Sequence, residues 1–405
     1  MNERGFDVIV YGSTGYTGGL IAEYLAAHGA AGGTRWAMAG RDAARLEATR
    51  QRIGASKERP LVIADAFDPS SLRAMVRRTR VVISSVGPYQ SYGEPLLAAC
   101  ADAGTEYVDL CGEPTWMAAM IPRYDAAAKA SGARIVFSCG FDSIPFDLGV
   151  YFLQRAAREK LGAPCPRVRA RVRRIINRYS GGTVSTALVN AEAAGRDAGL
   201  ATIMADPYAL VTDPPEARQP AGDAVMFEAD VPGWSVPFTM AGINTKNVHR
   251  SNALMGYAYG RDFTYDEMQW IGSDPRAQRR AKAAFRQALL QERLLGSAFA
   301  RAVLLRMLLP RPGRGPTPAQ RQRGSCEILF VGTASDGKSL RASVSTDQDP
   351  GYGSTSGMIS EAAMCMARDV PRDRVSGGIW TPASAMGDTL LPRLERAGVR
   401  FRLEG

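Results

Sequence analysis

Histidine is nearly absent: His28 and His249 are the two in 405 residues. Neither sits in a partner motif, which argues against a histidine-based acid. The six cysteines, at 100, 111, 139, 165, 326 and 365, form no CxxC pair and have no histidine nearby. Neither a metal site nor a disulfide framework is expected, and free thiols in a reducing cytoplasm are. No uninterrupted apolar run reaches membrane-spanning length. The opening MNERGFD has neither the basic nor the apolar region of a signal peptide, so a cytoplasmic protein is expected. Acid is in deficit, the formal net charge being +10 with arginine supplying most of it. Nucleic acid is nevertheless not expected as a partner, because no nucleic-acid motif and no basic face interleaved with aromatics is present. Anionic small molecules, an acidic carrier protein or a lipid surface all fit the excess. At 405 residues the chain exceeds the usual single-core limit, and two domains are expected.

What is present begins at once. FDVIVYGSTGYTGGL, residues 6–20, reads as a strand, a turn with Gly12, Gly15 and Gly18 at GxxGxxG spacing, and then a helical pattern. Such a turn lets the backbone approach a pyrophosphate and aims the helix N-terminus at it, although it also serves as a plain strand-to-helix turn. On the first reading the cofactor loop is Gly12, Ser13, Thr14, Gly15, Tyr16, Thr17 and Gly18.

Residues 34–40 (TRWAMAG) give a second strand that ends in Gly40-Arg41. An acid there would accept from a ribose 2′-hydroxyl, whereas arginine suits a 2′-phosphate, so NADP(H) is expected over NAD(H). The competing role for Arg41 is that of a solvated loop residue, and Asp42 reads as the cap of the next helix. A third strand, 61–64, ends at Asp65, and a fourth, 81–86, ends at Gly87-Pro88. Two more strand–helix units follow, with strands at 107–110 and 134–139. This alternation predicts a Rossmann-type α/β fold, a doubly wound parallel sheet with ligands outside the carboxyl ends of its strands. Asp65 is then expected near the adenine, and Val86, Gly87 and Pro88 near the nicotinamide.

The segments VYGSTGYTG, AMAGRD, SVGPYQSYGEPLLAACADAGTEYVDLCGEP and CGFDSIPFDLG resemble those of the saccharopine dehydrogenase-like oxidoreductases. Within that family the chain resembles the trans-acting enoyl reductases that serve polyketide synthases, and the likeness runs on through YSGGT, RSNALMGYAYG, PGRGPTPAQRQRG and GGIWTPASAMGDTLLPRLERAGVRF. It departs at Arg314, where an acidic residue is expected. The resemblance implies NADPH-linked hydride transfer, although relatives with this fold act on very different substrates; a carrier-bound or lipid-like acyl chain is the expected one here.

Residues 1–145 are read as the NADP-binding domain and 146–349 as an α+β substrate domain with a mixed or antiparallel sheet. The resemblance returns 350–405 to the first domain. RVRARVR (167–173) alternates as a half-buried strand. A glycine turn at 180–183 precedes a helical run and suits either a substrate oxygen or an ordinary cap. The Pro-rich stretches 213–223 and 310–324 read as surface loops, the second mobile. Residues 276–309 read as one long helix, basic along Arg279, Lys282, Arg286 and Arg293 and apolar over 294–309. Packing on the protein's own core is the default for that apolar part, with peripheral membrane contact as the alternative. A homo-oligomer is entertained.

Reducing an enoyl thioester requires a donor where negative charge develops and a proton for the α-carbon. The candidates are Tyr89 and Tyr92, just past the fourth strand, and Asp142, past the sixth. Packing against Pro88 and Pro95 is the competing role for the tyrosines. Ser143 reads as a helix cap, and Cys111 and Glu113 face the same edge. Two other readings stay open: a C–N dehydrogenase, and a binding protein that holds NADPH as a structural ligand.

Overall fold

A computed structural model describes residues 4–29, 33–177, 198–296 and 315–404. Among these residues the strands form two seven-stranded sheets. The first contains β1 (Phe6–Tyr11), β2 (Trp36–Gly40), β3 (Leu61–Ile63), β4 (Thr79–Ser84), β5 (Glu106–Asp109), β6 (Arg134–Val136) and β13 (Gly378–Trp380). Their order is β13-β6-β5-β4-β1-β2-β3, and every pairing is parallel. Near-continuous burial along β1, β2 and β4 is what a sheet covered on both faces requires. The sixth strand stops at Val136, short of the expected 139. Asp109 takes over there: its carboxylate accepts from Ser138 N at 2.8 Å and its carbonyl from Cys139 N at 2.7 Å, while Ser138 turns to a φ of 59°.

The second sheet contains β7 (Arg167–Ile176), β8 (Met226–Glu228), β9 (Gly233–Pro237), β10 (Thr264–Gly272), β11 (Ser325–Thr333), β12 (Ser339–Thr346) and β14 (Val399–Glu404). It runs β14-β12-β11-β7-β10-β9-β8, mixed, with β7 and β10 parallel and the rest antiparallel. The arginine side of β7 is not the solvated face its alternation suggests. Arg171 is fully buried, ion-paired to Glu228 on β8 and, at 2.8 Å, to Asp266 on β10. Removing either carboxylate would leave a buried charge without its partner, which is costly.

The chain's end divides between the two sheets. The helix Thr355–Arg368 packs on the helix Tyr16–His28 and on β4, and β13 extends the first sheet. The last strand departs from the expected return to the nucleotide domain. Val399 and Phe401 bury on one side and β14 pairs antiparallel with β12 in the second sheet. The helix Ile144–Leu161 lies on the second sheet so closely that a Cβ at Gly149 would stand 2.3 Å from the Phe330 ring. One apolar core therefore runs from Val8 through Phe146 and Phe330 to Phe401.

All six cysteines are buried and unpaired, and among the described residues no cluster of metal-ligating side chains occurs. No described helix is long and apolar enough to cross a membrane. The glycine turn at 180–183, Arg314 and the apolar stretch 297–309 lie outside the described residues.

Candidate active site

The glycine loop assigns a different task to each glycine. Gly12 takes a φ of 91°, and a Cβ there would stand 2.7 Å from Ser85 Oγ and 2.8 Å from Val86 Cγ2. Both Gly12 N and Ser13 N donate to Ala39 O, at 3.0 and 3.2 Å, and Ser13 Oγ donates to Val10 O at 2.7 Å. These bonds lock the turn to β1 and β2. A Cβ at Gly18 would lie 2.2 Å from Gly12 O, so this glycine permits helix and strand to close. Gly15 alone opens outward: it is exposed, and its Cβ would meet only Gly12 O at 3.3 Å. It is also the N-cap of the helix Tyr16–His28 and supplies no side-chain acceptor. The first-turn N–H groups and the partial positive charge of that helix end are therefore left for an anion.

Thr14 and Thr17 are half-buried beside this opening. The Tyr16 side chain is committed elsewhere. Its hydroxyl donates to Pro316 O at 2.5 Å and accepts from Arg321 Nη1 at 3.2 Å, and its ring meets Tyr352 edge-on at 5.2 Å. The stretch 315–323, expected as part of a loose loop, is thereby pinned to the cofactor loop. Within it Thr317 forms a reciprocal cap with Gln320 on the helix Pro318–Gln322.

At the next strand end Arg41 is exposed and makes no ion pair among the described residues, while Asp42 caps the helix Ala43–Arg52 by accepting from Arg45 N at 3.0 Å. Asp65 uses its carboxylate to hold its own turn, accepting from Phe67 N at 3.1 Å. Both residues act on Tyr11: burial first, then Asp65, push its phenol up to about 12, against an opposing influence of Arg41. The two charges thus lie together at one edge of the sheet. Arg41 is free to meet a phosphate there, and we expect Arg41→Ala to weaken NADPH binding about tenfold or more while leaving NADH binding almost unchanged, one charge-assisted bond being worth about 1.5–3 kcal/mol. Calorimetry with both nucleotides checks this, and equal losses for the two would refute it.

Past β4, Val86, Gly87 and Pro88 lead into the short helix Tyr89–Tyr92. Glu113 anchors this turn, its carboxylate accepting from Tyr89 N at 2.8 Å and Gln90 N at 2.9 Å. Tyr89 is buried with its hydroxyl fully occupied, donating to Ser84 O and accepting from Leu110 N, each at 3.0 Å. That is a brace between the ends of β4 and β5. Tyr92 is half-buried, and its ring meets the exposed Phe67 edge-on at 5.7 Å. It leans toward the β3 side of the sheet, away from β6. Cys111 is buried, its thiol pushed up by burial and by Asp109.

Asp142 follows β6 and is half-buried. Its carboxyl has no hydrogen-bond partner among the described residues, and burial alone pushes its pKa up to about 6. A Cβ at Gly112, in the loop after β5, would stand 3.3 Å from Asp142 Oδ2, so the carboxyl sits over that glycine. Ser143 occupies the cap position of the helix Ile144–Leu161 without capping it. Its hydroxyl instead donates to Asp142 O at 2.7 Å and accepts from Asn247 Nδ2 at 2.6 Å. Behind it, Asn244 Nδ2 and the Tyr265 hydroxyl donate to opposite oxygens of Glu267, each at 2.9 Å. Burial pushes that carboxyl up to about 8, against the two hydrogen bonds it accepts. Sequence reasoning passed over Asn244, Asn247 and Glu267. The available signal was the run NTKNVHRSN (244–252), too polar for an ordinary packed helix yet buried along the helix Ala241–Leu254.

Tyr89 braces β4 to β5, Tyr92 meets Phe67, and Asp142 sits over Gly112. Along the carboxyl edge of one parallel sheet lie an outward-opening, uncapped helix N-terminus, an arginine and a half-buried carboxyl, the last two without an ion pair among the described residues. The first two fit a dinucleotide carrying a 2′-phosphate.

Comparison with known proteins agrees. Residues 8–136 match the saccharopine dehydrogenase NADP binding domain. A trans-acting enoyl reductase of Mycobacterium bovis is 38% identical over 414 residues, covering 98% of this chain and 97% of that one. A Mycobacterium tuberculosis protein provisionally given the same name is 41% identical with the same coverage. Among solved structures, the apo saccharopine dehydrogenase (L-Glu forming) of Saccharomyces cerevisiae aligns over 99% of this chain and all of its own, with a TM-score of 0.56 at 13% identity, a likeness of fold. The protein is thus an NADP-dependent oxidoreductase of saccharopine dehydrogenase-like fold. The chain belongs to the family of the trans-acting enoyl reductases.

Proposed function

We propose that this protein reduces the α,β-double bond of an acyl thioester, presented on a carrier protein or as a lipid-like chain, and that Asp142 protonates the α-carbon. The observation that carries the assignment is the unpaired, half-buried Asp142 carboxyl, raised to about 6. A general acid works best with a pKa near the working pH and no competing partner.

NADPH, when bound, supplies a hydride. The backbone at Gly15 and the first-turn N–H groups would hold its pyrophosphate, and Arg41 would hold its 2′-phosphate. As the β-carbon accepts the hydride, the π electrons move to the thioester, and the Asp142 proton passes to the α-carbon. The products are the saturated thioester, NADP⁺ and an Asp142 carboxylate that takes its proton back from water. Ser143 and Asn247 hold the Asp142 backbone for this task.

The tyrosines then have supporting roles, Tyr89 as the brace and Tyr92 on the adenosine side with Phe67. Tyr89→Phe is expected to cost about 1–3 kcal/mol of stability, because Leu110 N loses its buried acceptor. Turnover per folded molecule stays within about threefold of wild type in Tyr89→Phe and in Tyr92→Phe, well short of the roughly hundredfold penalty for deleting a transition-state donor. Steady-state reduction of a medium-to-long enoyl thioester, paired with thermal unfolding, tests this. A hundredfold drop in either variant would return that tyrosine to the chemistry.

A further inference from the structure

The helix Ala277–Gly296 packs on β9 and β10 through its first half, where Ala277 and Ala281 are buried. Its second half leaves the sheet: Arg286, Gln287, Ala288, Leu289, Leu290, Gln291, Arg293 and Leu294 are all exposed. Leu290 has 58% of its surface in water, Leu294 43% and Leu289 40%. At 3.6 residues per turn, Arg279, Lys282, Arg286 and Arg293 fall within about 60° of the circumference, and the three leucines flank them, the whole face spanning about 140°. It points opposite to Ala277 and Ala281.

These four cations make no ion pair among the described residues, unlike Arg280, which pairs with Asp274 at 2.5 Å. Between Asp274 and Glu327 the sequence carries twelve arginines and lysines against one acid, Glu292. Water is a poor environment for three exposed leucines on one helix face, and an uncompensated cationic stripe attracts an anionic surface. Long arginine and lysine stems reach past neighbouring leucines to charged headgroups while the leucines enter the acyl boundary.

We propose that the outward face of this helix, from Arg279 to Leu294, docks on an anionic lipid bilayer, lying in the interface without spanning it. The proposal is independent of the reaction assigned above.

Co-sedimentation with phosphatidylcholine vesicles, with and without phosphatidylglycerol, is the test. Wild type is expected to sediment with the anionic vesicles only, and less as salt rises, since each surface cation contributes to an electrostatic attraction that salt screens. The variant carrying Arg279→Gln, Lys282→Gln, Arg286→Gln and Arg293→Gln should partition at least about tenfold less. Leu289→Ser, Leu290→Ser and Leu294→Ser together should give a similar loss. Unchanged NADPH affinity in both variants confirms that they are folded. Failure of wild type to bind anionic vesicles would overturn the proposal, as would equal binding by either variant. So would capture by an acidic carrier protein that depends on this face while vesicles are ignored.

Discussion

Gly15→Val is expected to abolish NADPH binding in a chain that remains folded. The space outside Gly15 is open, and the backbone there is not in the left-handed region. A valine side chain therefore strains little in the protein itself while filling the room a pyrophosphate needs. If two charge-assisted bonds are lost, affinity falls by about 3–6 kcal/mol, roughly a hundredfold to ten-thousandfold. Gly12→Val is not an equivalent test. With a φ of 91° and a Cβ wedged against Ser85 and Val86, it would break the turn itself, and lost binding would then report lost structure. Calorimetry together with thermal unfolding of Gly15→Val decides the matter. Unchanged affinity in a folded variant would mean that the glycines only turn the chain.

Asp142→Asn should lower turnover by about a hundred- to ten-thousandfold while NADPH binds as before, because a positioned general acid is removed and no cofactor contact is. The wild-type profile carries a second signature. Only protonated Asp142 can donate, so turnover should decline as pH rises through about 6. The Asn variant should lack that limb. Stability runs in the same direction. A carboxyl raised by burial keeps its proton in the folded chain at pH values where the unfolded chain has released it, so its contribution to stability is lost as pH rises from the ordinary carboxylate range to about 6. Asn, always neutral, should be relatively stabilising above that window and indifferent below it. An Asp142→Asn enzyme with wild-type turnover and an unaltered pH limb would remove Asp142 from the chemistry.

Much of the nucleotide half was legible because local rules coincide with the fold there. Apolar β-branched runs became β1 and β4, and Asp42 became a cap. The glycine spacing translated into one turn, one helix–strand contact and one opening. Elsewhere long-range pairing decided. Ser143 has the sequence context of a cap, but Asn247, more than a hundred residues on, claims its hydroxyl. The alternation of Arg171 signals a solvent face until Glu228 and Asp266 close over it. VRFRLE at 399–404 alternates as strand sequence should, yet nothing local names β12 as its partner. The tyrosines next to the fourth strand looked equivalent by position. Their separation, one bracing β5 and the other reaching Phe67, is a matter of which way each side chain leaves a four-residue helix.

Incubation with NADPH deuterated at C4, an enoyl thioester on a carrier protein and mass-spectrometric location of the label tests the central claim most directly. The expected product is a saturated acyl chain with one deuterium at the β-carbon, formed at a rate that falls with Asp142→Asn. Deuterium at the thioester carbonyl carbon with the double bond intact, or an enoyl chain returned unchanged and unlabelled, would contradict the claim.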